Sequence, residues 1–228
     1  MFYKELLFPK FCLGCGYLGV YFCQQCLKQF LFIENDRCLY CGNVNWAGVT
    51  HTACRKKLGV DGCMSLLHYN SLARKMIKSI KYRLATSVWD EFWNILKPER
   101  LWKLTFYKKL QPDLNIQPVP ISSGKYSERG FNQAQIIADK IGSLINVASA
   151  EYLIRVKNTL PQAQIPKKQS RYKNIRGAFK IVKKNNLENR NVLLIDDVTT
   201  SGSTVKEASR ILKLNGARSV YVFTICRG

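Results

Sequence analysis

The stretch that decides the fold is Val192–Thr204, which reads Val-Leu-Leu-Ile-Asp-Asp-Val-Thr-Thr-Ser-Gly-Ser-Thr. Its apolar start predicts a strand over Asn191–Asp197 that is buried on both faces of a parallel sheet. A turn rich in hydroxyl groups follows, and the pattern of Val205–Leu214 predicts a helix that ends at Asn215-Gly216. The stretch therefore indicates an α/β fold, with a candidate binding site at the carboxyl end of the strand.

The turn after this strand has the composition of a site for a phosphorylated sugar. Backbone N–H groups at a helix start bind anions, and Gly202 lets the backbone approach a phosphate closely. The hydroxyl donors are those of Thr200, Ser201, Ser203 and Thr204. The carboxylates of Asp196 and Asp197 would repel a phosphate but can accept hydrogen bonds from sugar hydroxyls. We expect a 5-phosphorylated ribose here; the simpler alternative is a helix start rich in capping residues.

The rest of the chain after Cys63 continues the alternation of strands and helices. The apolar patterns predict further strands over Met64–Tyr69, Leu114–Pro120 and Arg218–Cys226. They predict helices over Ser71–Tyr82 and Asn132–Leu144, a helical but interrupted stretch over Trp93–Leu110, and a loop after Pro120. Such alternation implies a parallel sheet with helices on both faces. We assign residues 61–228 to this domain.

Residues 1–60 form a separate module that is rich in cysteine. Eight of the nine cysteines precede residue 64, and seven of them form four pairs of metal-ligand spacing with one histidine. The pairs are Cys12/Cys15, Cys23/Cys26, Cys38/Cys41 and His51/Cys54. Two intervening residues let a tight turn direct both ligands at one tetrahedral cation, so we expect one or two zinc ions. The spacing allows sequential or interleaved pairing, and disulfides are the less favoured alternative.

The charge of the chain is its most unusual bulk property. Thirty-six Lys and Arg against fifteen Asp and Glu give a formal charge of +21. This excess favours a polyanionic partner, either nucleic acid, a phosphorylated ligand or an anionic membrane surface; a generally basic proteome is the plain alternative. No apolar stretch approaches the ~18–20 residues that cross a bilayer, and we expect no secretory signal, because Lys4, Glu5 and Lys10 interrupt the apolar residues at the N-terminus. We therefore expect a cytoplasmic protein.

The positive charge is concentrated in Arg155–Arg190, where eleven Lys and Arg accompany a single acid, Glu188. A groove of this composition can bind the phosphates of single-stranded DNA, and Tyr172 can stack on bases. The candidate nucleic-acid-binding residues are Lys167, Lys168, Arg171, Lys173 and Arg176. Alternatively, the segment is a loop over the sugar-phosphate pocket whose charges meet pyrophosphate.

The Val192–Thr204 stretch resembles the phosphoribosyl-diphosphate (PRPP) binding motif of type I phosphoribosyltransferases. In this comparison Thr199 takes the family's variable place, and Thr200-Ser201-Gly202 takes its Thr-Thr-Gly triplet. The resemblance implies PRPP bound with Mg²⁺. The implied PRPP-binding residues are Asp196, Asp197, Thr199, Thr200, Ser201, Gly202, Ser203 and Thr204. Lys125 and Arg129, which follow Pro118-Val-Pro, are placed to hold the diphosphate alongside Mg²⁺.

Three further segments make the resemblance specific to one family. They are Pro118–Ala134 with its Arg-Gly-Phe-Asn-Gln-Ala run, Thr159–Phe179 with Arg-Gly-Ala-Phe, and Leu67–Arg83 with Lys-Tyr-Arg. Together with the double zinc ribbon, they make the chain similar to the ComF family of competence proteins, of the ComFC/GntX type. His51 departs from the family's commoner all-cysteine fourth pair. The implied fold is a parallel-sheet type I phosphoribosyltransferase domain with a small N-terminal zinc-ribbon module.

The resemblance implies a role in natural transformation, in the uptake of single-stranded DNA beside a helicase or an inner-membrane channel protein. The implied place is the cytoplasm or the inner face of the cytoplasmic membrane. The sequence leaves two functions open. We favour a PRPP-binding factor that handles single-stranded DNA, because no acidic or histidine general base stands out and the catalytic residues are unknown. The alternative is a phosphoribosyltransferase with an unidentified acceptor.

Overall fold

The computed structural model describes residues 9–79, 85–110, 112–160, 165, 168–182 and 187–228. Within these residues the strands are β1 Gly62–His68, β2 Leu114–Pro118, β3 Leu153–Arg155, β4 Phe179–Ile181, β5 Asn191–Thr199 and β6 Ser219–Arg227. The α-helices are α1 Gln24–Leu27, α2 Ser71–Ser79, α3 Ala85–Ile95, α4 Lys103–Lys108, α5 Ser123–Arg129, α6 Gln133–Ile145, α7 Lys168–Ile175 and α8 Ser203–Leu214. Short 3₁₀ turns occupy Trp46–Gly48, Thr52–Cys54 and Pro98–Leu101.

Four of the strands form the predicted parallel sheet, in the order β1-β6-β5-β2. The register pairs Asp196 of β5 with Thr224 of β6 and Ile195 with Pro118 of β2. Because all four strands run the same way, their carboxyl ends lie at one edge of the sheet. The two acids of β5 therefore stand at that edge, in the place where the sequence predicts a site.

Helices cover both faces of the sheet, as predicted. Alternate residues of β5 point to opposite faces. Leu193 and Ile195 pack in one apolar cluster with Ile137 of α6 and Phe92 of α3. The other cluster holds Val192 and Leu194 of β5 with Val205, Ala208 and Leu212 of α8. The helix that carries the candidate phosphate turn is thus fixed to the sheet by its buried face.

The predicted elements agree with the structure except in three places. The loop prediction after Pro120 is wrong, because Ser123–Arg129 is the helix α5, which ends at Gly130 with φ +78°. The sequence also missed the antiparallel pair β3–β4. The interrupted stretch at Trp93–Leu110 begins earlier, since α3 starts at Ala85, and its break falls at the 3₁₀ turn Pro98–Leu101. The last residues predicted for the Ser71–Tyr82 helix lie outside the described residues.

The cysteine-rich segment packs directly on the sheet domain. Isolated bridges join Phe32 to Leu67 and Val49 to Gly62, so the segment borders β1. A buried ion pair joins Asp36 to Lys103 of α4 at 2.8 Å. The division into residues 1–60 and 61–228 stays a prediction. Among the described residues, no helix is long and apolar enough to span a bilayer.

Candidate functional site

The two acids of β5 form the centre of the candidate site. Asp196 and Asp197 are half-buried at the carboxyl end of the strand. The Asp197 N–H donates to Asp196 Oδ1 at 2.9 Å, and the Val198 N–H donates to Asp197 Oδ1 at 2.7 Å. These bonds fix both carboxyl groups against the backbone. The pair is therefore held in place before a ligand arrives.

The electrostatics of this pair favour a ligand that brings positive charge or hydrogen-bond donors. Burial, and then the neighbouring carboxylate of Asp197, raises the pKa of Asp196 well above its ordinary value, although Arg155 acts in the opposite direction. Two adjacent carboxylates repel each other, so ionising both is unfavourable without compensation. Sugar hydroxyls or a divalent cation would supply that compensation.

The turn after β5 begins α8 in the geometry expected of a phosphate cradle. Gly202 has φ +70° and ψ 10°, the left-handed conformation that favours glycine. The hydroxyl groups of Ser201 and Ser203 lie 2.8 Å apart. Thr200 is exposed and Thr204 is half-buried. Thr199, in contrast, is only 3% exposed, so its side chain is packed inside. The structure thus brings the predicted hydroxyl residues together around the first turn of α8.

Arg155 is a site residue that sequence reasoning missed, since its position in the basic segment gave no separate signal. It ends β3 and lies close enough to Asp196 to influence the pKa of that carboxyl group. Burial lowers the pKa of Arg155 itself, and its guanidinium lies 5.7 Å from the ring centre of Phe179. Its buried Nε has no hydrogen-bond partner among the described residues. The site therefore contains a cation with an unused donor.

Arg171 was predicted to bind nucleic acid, and the structure places it against the phosphate turn. Its Nη1 donates to the hydroxyl oxygen of Thr200 at 3.1 Å, and its Nε donates to the carbonyl of Ile165 at 2.6 Å. Lys173 and Arg176 are exposed in and just after α7. The basic segment is thus divided between the turn after β5 and the outer surface.

The remaining predicted cations have separate positions. Lys125 and Arg129 lie in α5, which follows the strand beside β5, and Arg129 donates to Gln133 at 3.2 Å. Lys168 is in α7, whereas Lys167 lies outside the described residues. The roles of all these residues stay predictions.

The first metal-ligand set joins Cys12, Cys15, Cys23 and Cys26, whose sulfur atoms lie within 4.8 Å of one another. The Sγ atoms of Cys15 and Cys23 are 3.7 Å apart. Two thiolates on one tetrahedral zinc, each at about 2.3 Å, are separated by about 3.8 Å. The donors and their spacing therefore fit a structural zinc ion.

The second set joins Cys38, Cys41, His51 and Cys54 within the same distance. The Sγ of Cys41 and the Nδ1 of His51 are 3.4 Å apart, where a shared tetrahedral zinc gives about 3.5 Å. His51 thus lies where the fourth pair requires it. Of the two pairings that the spacing allows, the structure shows the sequential one.

Each set contains thiols of very different acidity. Burial opposes ionisation of Cys38, but the N–H groups of Cys41 and Tyr40 outweigh it and lower the pKa to about 6. Burial and neighbouring thiols raise the pKa of Cys26 to about 12 and that of Cys54 to about 11. A bound cation is needed to ionise all ligands of a set together, which is what zinc supplies.

The second metal-ligand set touches the phosphate turn. A Cβ atom added to Gly202 would lie 2.8 Å from Leu39 Cδ1, so the Leu39 side chain packs directly on that glycine. Lys206 Nζ donates to the Leu39 carbonyl at 3.4 Å and to the Ser201 carbonyl at 3.2 Å. Arg227 of β6 donates to the Arg37 carbonyl at 2.6 Å. The zinc-ribbon segment therefore forms one wall of the turn.

Comparison with known families gives a match for the cysteine-rich segment and another for the sheet domain. Residues 3–58 match the double zinc ribbon domain, and residues 128–228 match the phosphoribosyl transferase domain. With the parallel sheet described above, these matches confirm the predicted phosphoribosyltransferase fold with an N-terminal zinc-ribbon module. The ribbon match and the two ligand sets also support the predicted binding of zinc.

Three curated relatives and one solved structure illustrate the similarity. Competence protein F of Haemophilus influenzae is 28% identical over 216 residues, covering 90% of this chain and 88% of that protein. Competence protein ComFC of Bacillus subtilis is 28% identical over 215 residues, covering 90% of this chain and 83% of that protein. DNA utilization protein YhgH of Escherichia coli K12 is 31% identical over 117 residues, 51% of this chain and 50% of that protein. A purine phosphoribosyltransferase from Pyrococcus horikoshii superposes with a TM-score of 0.37 and 13% identity, covering 60% of this chain and 84% of that chain.

Proposed function

We propose that this chain acts as a competence protein of the ComF type, to which it is similar over 90% of its length, and that it binds PRPP and single-stranded DNA during DNA uptake in natural transformation. The names of its relatives, competence proteins and a DNA utilization protein, support the biological role. The proposed partners are PRPP, single-stranded DNA, and a helicase or inner-membrane channel of the uptake machinery. The proposed place is the cytoplasm or the inner face of the cytoplasmic membrane.

The observation that carries the PRPP assignment is the position of Asp196 and Asp197 beside the first turn of α8. The carboxylates accept hydrogen bonds from the ribose hydroxyls. The 5-phosphate binds the N–H groups and hydroxyls of the turn that begins at Gly202. One ligand with hydroxyls and a phosphate at opposite ends of a five-membered sugar satisfies both halves of the site.

The diphosphate of PRPP requires cations, and the chain supplies several around the site. Arg155 lies beside Asp196 with its Nε unused among the described residues, and Arg171 is bonded to Thr200 of the turn. Lys125 and Arg129 in α5 extend from the neighbouring strand end. Carboxylate and phosphate oxygens are the ligands that Mg²⁺ prefers, so Asp196 and Asp197 fit the predicted Mg²⁺, which would neutralise charge on the diphosphate.

The single-stranded DNA assignment depends on charge and on exposed side chains. The chain carries a formal charge of +21, and Lys173 and Arg176 are exposed in and just after α7. Tyr172 directly precedes Lys173 in α7 and is 39% exposed. Cations with an accessible aromatic ring are the usual means by which proteins hold single strands without reading their sequence.

An active phosphoribosyltransferase is the second candidate function. The family match over residues 128–228 favours it. Such an enzyme would release pyrophosphate as phosphoribose passes to an acceptor. Pyrophosphate release measured with PRPP and nucleobases or nucleic acid distinguishes the two, because sustained release would exclude a purely binding role.

The PRPP assignment is tested with Asp197→Ala. We expect calorimetric titration with PRPP and Mg²⁺ to show no binding, because the ribose loses an acceptor, while the zinc content stays that of the wild type. Asp90→Ala removes an exposed acid from α3 and is the matched control. Unchanged PRPP affinity in Asp197→Ala would overturn the assignment.

The DNA assignment is tested by neutralising Lys167, Lys168, Arg171 and Lys173 together. We expect weaker binding of a short oligothymidylate and a shallower dependence of affinity on salt, by about 0.7 logarithmic units for each DNA phosphate that the variant no longer neutralises. The control removes the same charge from exposed lysines elsewhere, namely Lys97, Lys108, Lys109 and Lys140. Equal effects in both variants would place the DNA surface outside the basic segment.

A further inference from the structure

A cavity of about 620 Å³ lies beside the phosphate turn, between the second metal-ligand set and α8. The zinc-ribbon segment contributes one wall, and α7 and α8 contribute the other. Its principal lining residues are Tyr40, Lys56, Tyr172, Ser201, Lys206 and Arg210. The volume is within the range of cavities that hold small ligands. We refer to this space as the ribbon cavity.

The ribbon cavity is distinct from the proposed PRPP site, although the two share a wall. Ser201 and Ser203 of the turn line the ribbon cavity, whereas Asp196 and Asp197 are not among its lining residues. Lys206 Nζ bonds to the Ser201 carbonyl and so lies on the cavity side of the turn. A ligand in the ribbon cavity would therefore lie beside the 5-phosphate end of PRPP, with Ser201 and Ser203 between the two.

Two tyrosine rings give the ribbon cavity a surface for a planar ligand. The Oη of Tyr40 accepts a hydrogen bond from the Val60 N–H at 2.9 Å, which fixes that ring. Lys206 Nζ lies 4.7 Å and Lys56 Nζ 5.6 Å from the centre of the Tyr40 ring. Tyr172 of α7 is 39% exposed and lines the same space. Stacking between a tyrosine and a nucleobase is favourable and does not depend on which base is present.

The charge of the ribbon cavity favours an anion. Among the residues that the structure describes, its lining includes Lys56, Lys206 and Arg210 and no acid. Arg210 donates to Glu207 at 2.7 Å, but the Glu207 side chain is fully buried and also accepts from the Gly177 N–H. The lining of the cavity therefore carries the positive charges of Lys56 and Lys206. An aromatic surface with nearby cations matches a nucleobase joined to a phosphate.

We propose that the ribbon cavity binds one nucleotide of a single DNA strand, with its base on Tyr172 and its phosphate at Lys56. This proposal rests on the proposed function, for which it names the position of the strand. A strand is favoured over a free nucleotide because further cations continue from the cavity along α7. The Arg176 N–H donates to the Tyr172 carbonyl at 3.0 Å, so the exposed Arg176 lies one helical turn beyond Tyr172, and we assign the next phosphate of the strand to it.

The test compares Tyr172→Ala and Lys56→Ala with the full-length wild type, using fluorescence anisotropy of a labelled short oligothymidylate. We expect Tyr172→Ala to weaken binding about tenfold, since one base loses its stacking partner. Tyr172→Phe keeps the ring and is expected to bind like the wild type. Lys56→Ala is expected to make the salt dependence shallower by about 0.7 logarithmic units, the effect of one phosphate. Lys140→Ala on α6, against the opposite face of the sheet, is the matched charge control.

A second measurement uses only the wild-type protein, so it does not depend on whether a variant folds. Irradiation of the wild type with an oligonucleotide that contains 5-iodouracil is expected to attach the DNA to a peptide with Tyr172 or Tyr40. Cross-links confined to other peptides would overturn the proposal. So would wild-type oligonucleotide affinity in both Tyr172→Ala and Lys56→Ala. Thymidine monophosphate that fills the cavity as tightly as the strand would also overturn it, in favour of a free-nucleotide site.

The two proposals fail in different ways. Absence of any oligonucleotide binding by the wild type would refute the DNA part of the proposed function itself. If the wild type binds the oligonucleotide and both cavity variants bind it equally well, only the proposal that DNA occupies the ribbon cavity is refuted. PRPP titration of Tyr172→Ala and Lys56→Ala is expected to give wild-type affinity, which checks that the variants are folded and that the two sites are separate.

Discussion

The two metal-ligand sets have almost the same chemistry but different neighbours. The first set packs near α3, where Glu91 Oε1 accepts the N–H groups of Tyr21 and Phe22 at 2.7 and 2.9 Å. The second set packs on the phosphate turn, where Leu39 lies against Gly202. The backbone beside this set also accepts hydrogen bonds, at the Leu39 carbonyl from Lys206 and at the Arg37 carbonyl from Arg227.

From this difference in neighbours we expect the two metal-ligand sets to have different roles, the first in stability and the second also in binding. The first set fixes the ribbon to a helix that contributes no residue to the candidate site. The second set shapes the turn proposed to bind phosphate, and Tyr40 beside it lines the ribbon cavity. Loss of the first zinc should therefore affect mainly folding, and loss of the second should also affect binding.

The largest expected effect on ligand binding comes from Cys41→Ser, compared with Cys15→Ser. Both cysteines are exposed, and each belongs to one set. Each substitution is expected to lower bound zinc from two ions to one, measured by metal analysis. Cys41→Ser should weaken PRPP binding at least tenfold, or by about 1.4 kcal/mol, because Leu39 loses its fixed position. Cys15→Ser should leave PRPP affinity nearly unchanged.

The outcome that contradicts this comparison is equal loss of PRPP affinity in the two variants. That result would mean that the ribbon folds as one unit, so that the distance of each metal-ligand set from the turn does not affect PRPP binding. Circular dichroism of both variants serves as the control for folding of the sheet domain.

An effect on stability, and not on PRPP binding, is expected from the contacts that hold each half of the ribbon in place. Lys103→Met leaves Asp36 buried without its ion pair and removes bonds to the Ile33 and Ser65 carbonyls. We expect a loss of about 3 kcal/mol in the free energy of unfolding, measured with urea. Glu91→Gln keeps an acceptor for the two N–H groups and should cost only about 1 kcal/mol.

The double variant Lys103→Met/Asp36→Asn tests whether the unpaired charge of Asp36 causes the loss of stability. A neutral amide has no need of a counter-charge, so part of the lost stability should return. If Asp36→Asn adds its own full cost instead, the ion pair does not account for the loss.

The smallest effect is expected from glycines of similar conformation near the two sets. Gly16 and Gly202 have φ of +81° and +70°, so an alanine at either position costs about 1 kcal/mol. A Cβ at Gly16 meets no atom within 4 Å among the described residues, whereas one at Gly202 meets Leu39. Gly202→Ala should therefore be more destabilising than Gly16→Ala in urea unfolding, and Leu39→Ala should relieve the difference. Equal effects at the two glycines would show that the Leu39 contact is unimportant.

The sequence predicts most of the sheet domain because its signals are local. The amphipathic pattern of α8 extends over twelve residues, which is long enough for its period to be read, and the short apolar run of β5 is marked by the Asp-Asp turn that follows it. The helix predicted over Asn132–Leu144 is α6, and Asn132 is its N-cap, since its side chain accepts from the Ala134 N–H at 3.1 Å. In contrast, β3 and β4 have three residues each, too few to show a pattern. The helix α5 has few apolar residues, and its Ser and Gly are typical of a loop.

The residue types of the site could also be predicted, but their neighbours could not. Asp196, Asp197 and the hydroxyl turn are contiguous, so their joint role is visible in the sequence. Arg155 approaches Asp196 through the folding of a distant segment, and no local pattern marks it. The contact between Leu39 and Gly202 joins positions far apart in the chain, and pairing rules for cysteine say nothing about what packs outside a zinc site.

The strand order has a consequence for how the protein is made. β6 comes last in the sequence, yet it lies between β1 and β5 in the sheet. On the ribosome, all eight zinc ligands are synthesised early, while the sheet must wait until Ser219–Arg227 has been synthesised. Until then β1 and β5 each have an unpaired edge, which favours aggregation and binding by chaperones. Premature termination just before Ser219 would therefore remove a central strand of the core and leave a metal-binding fragment attached to an unfinished domain.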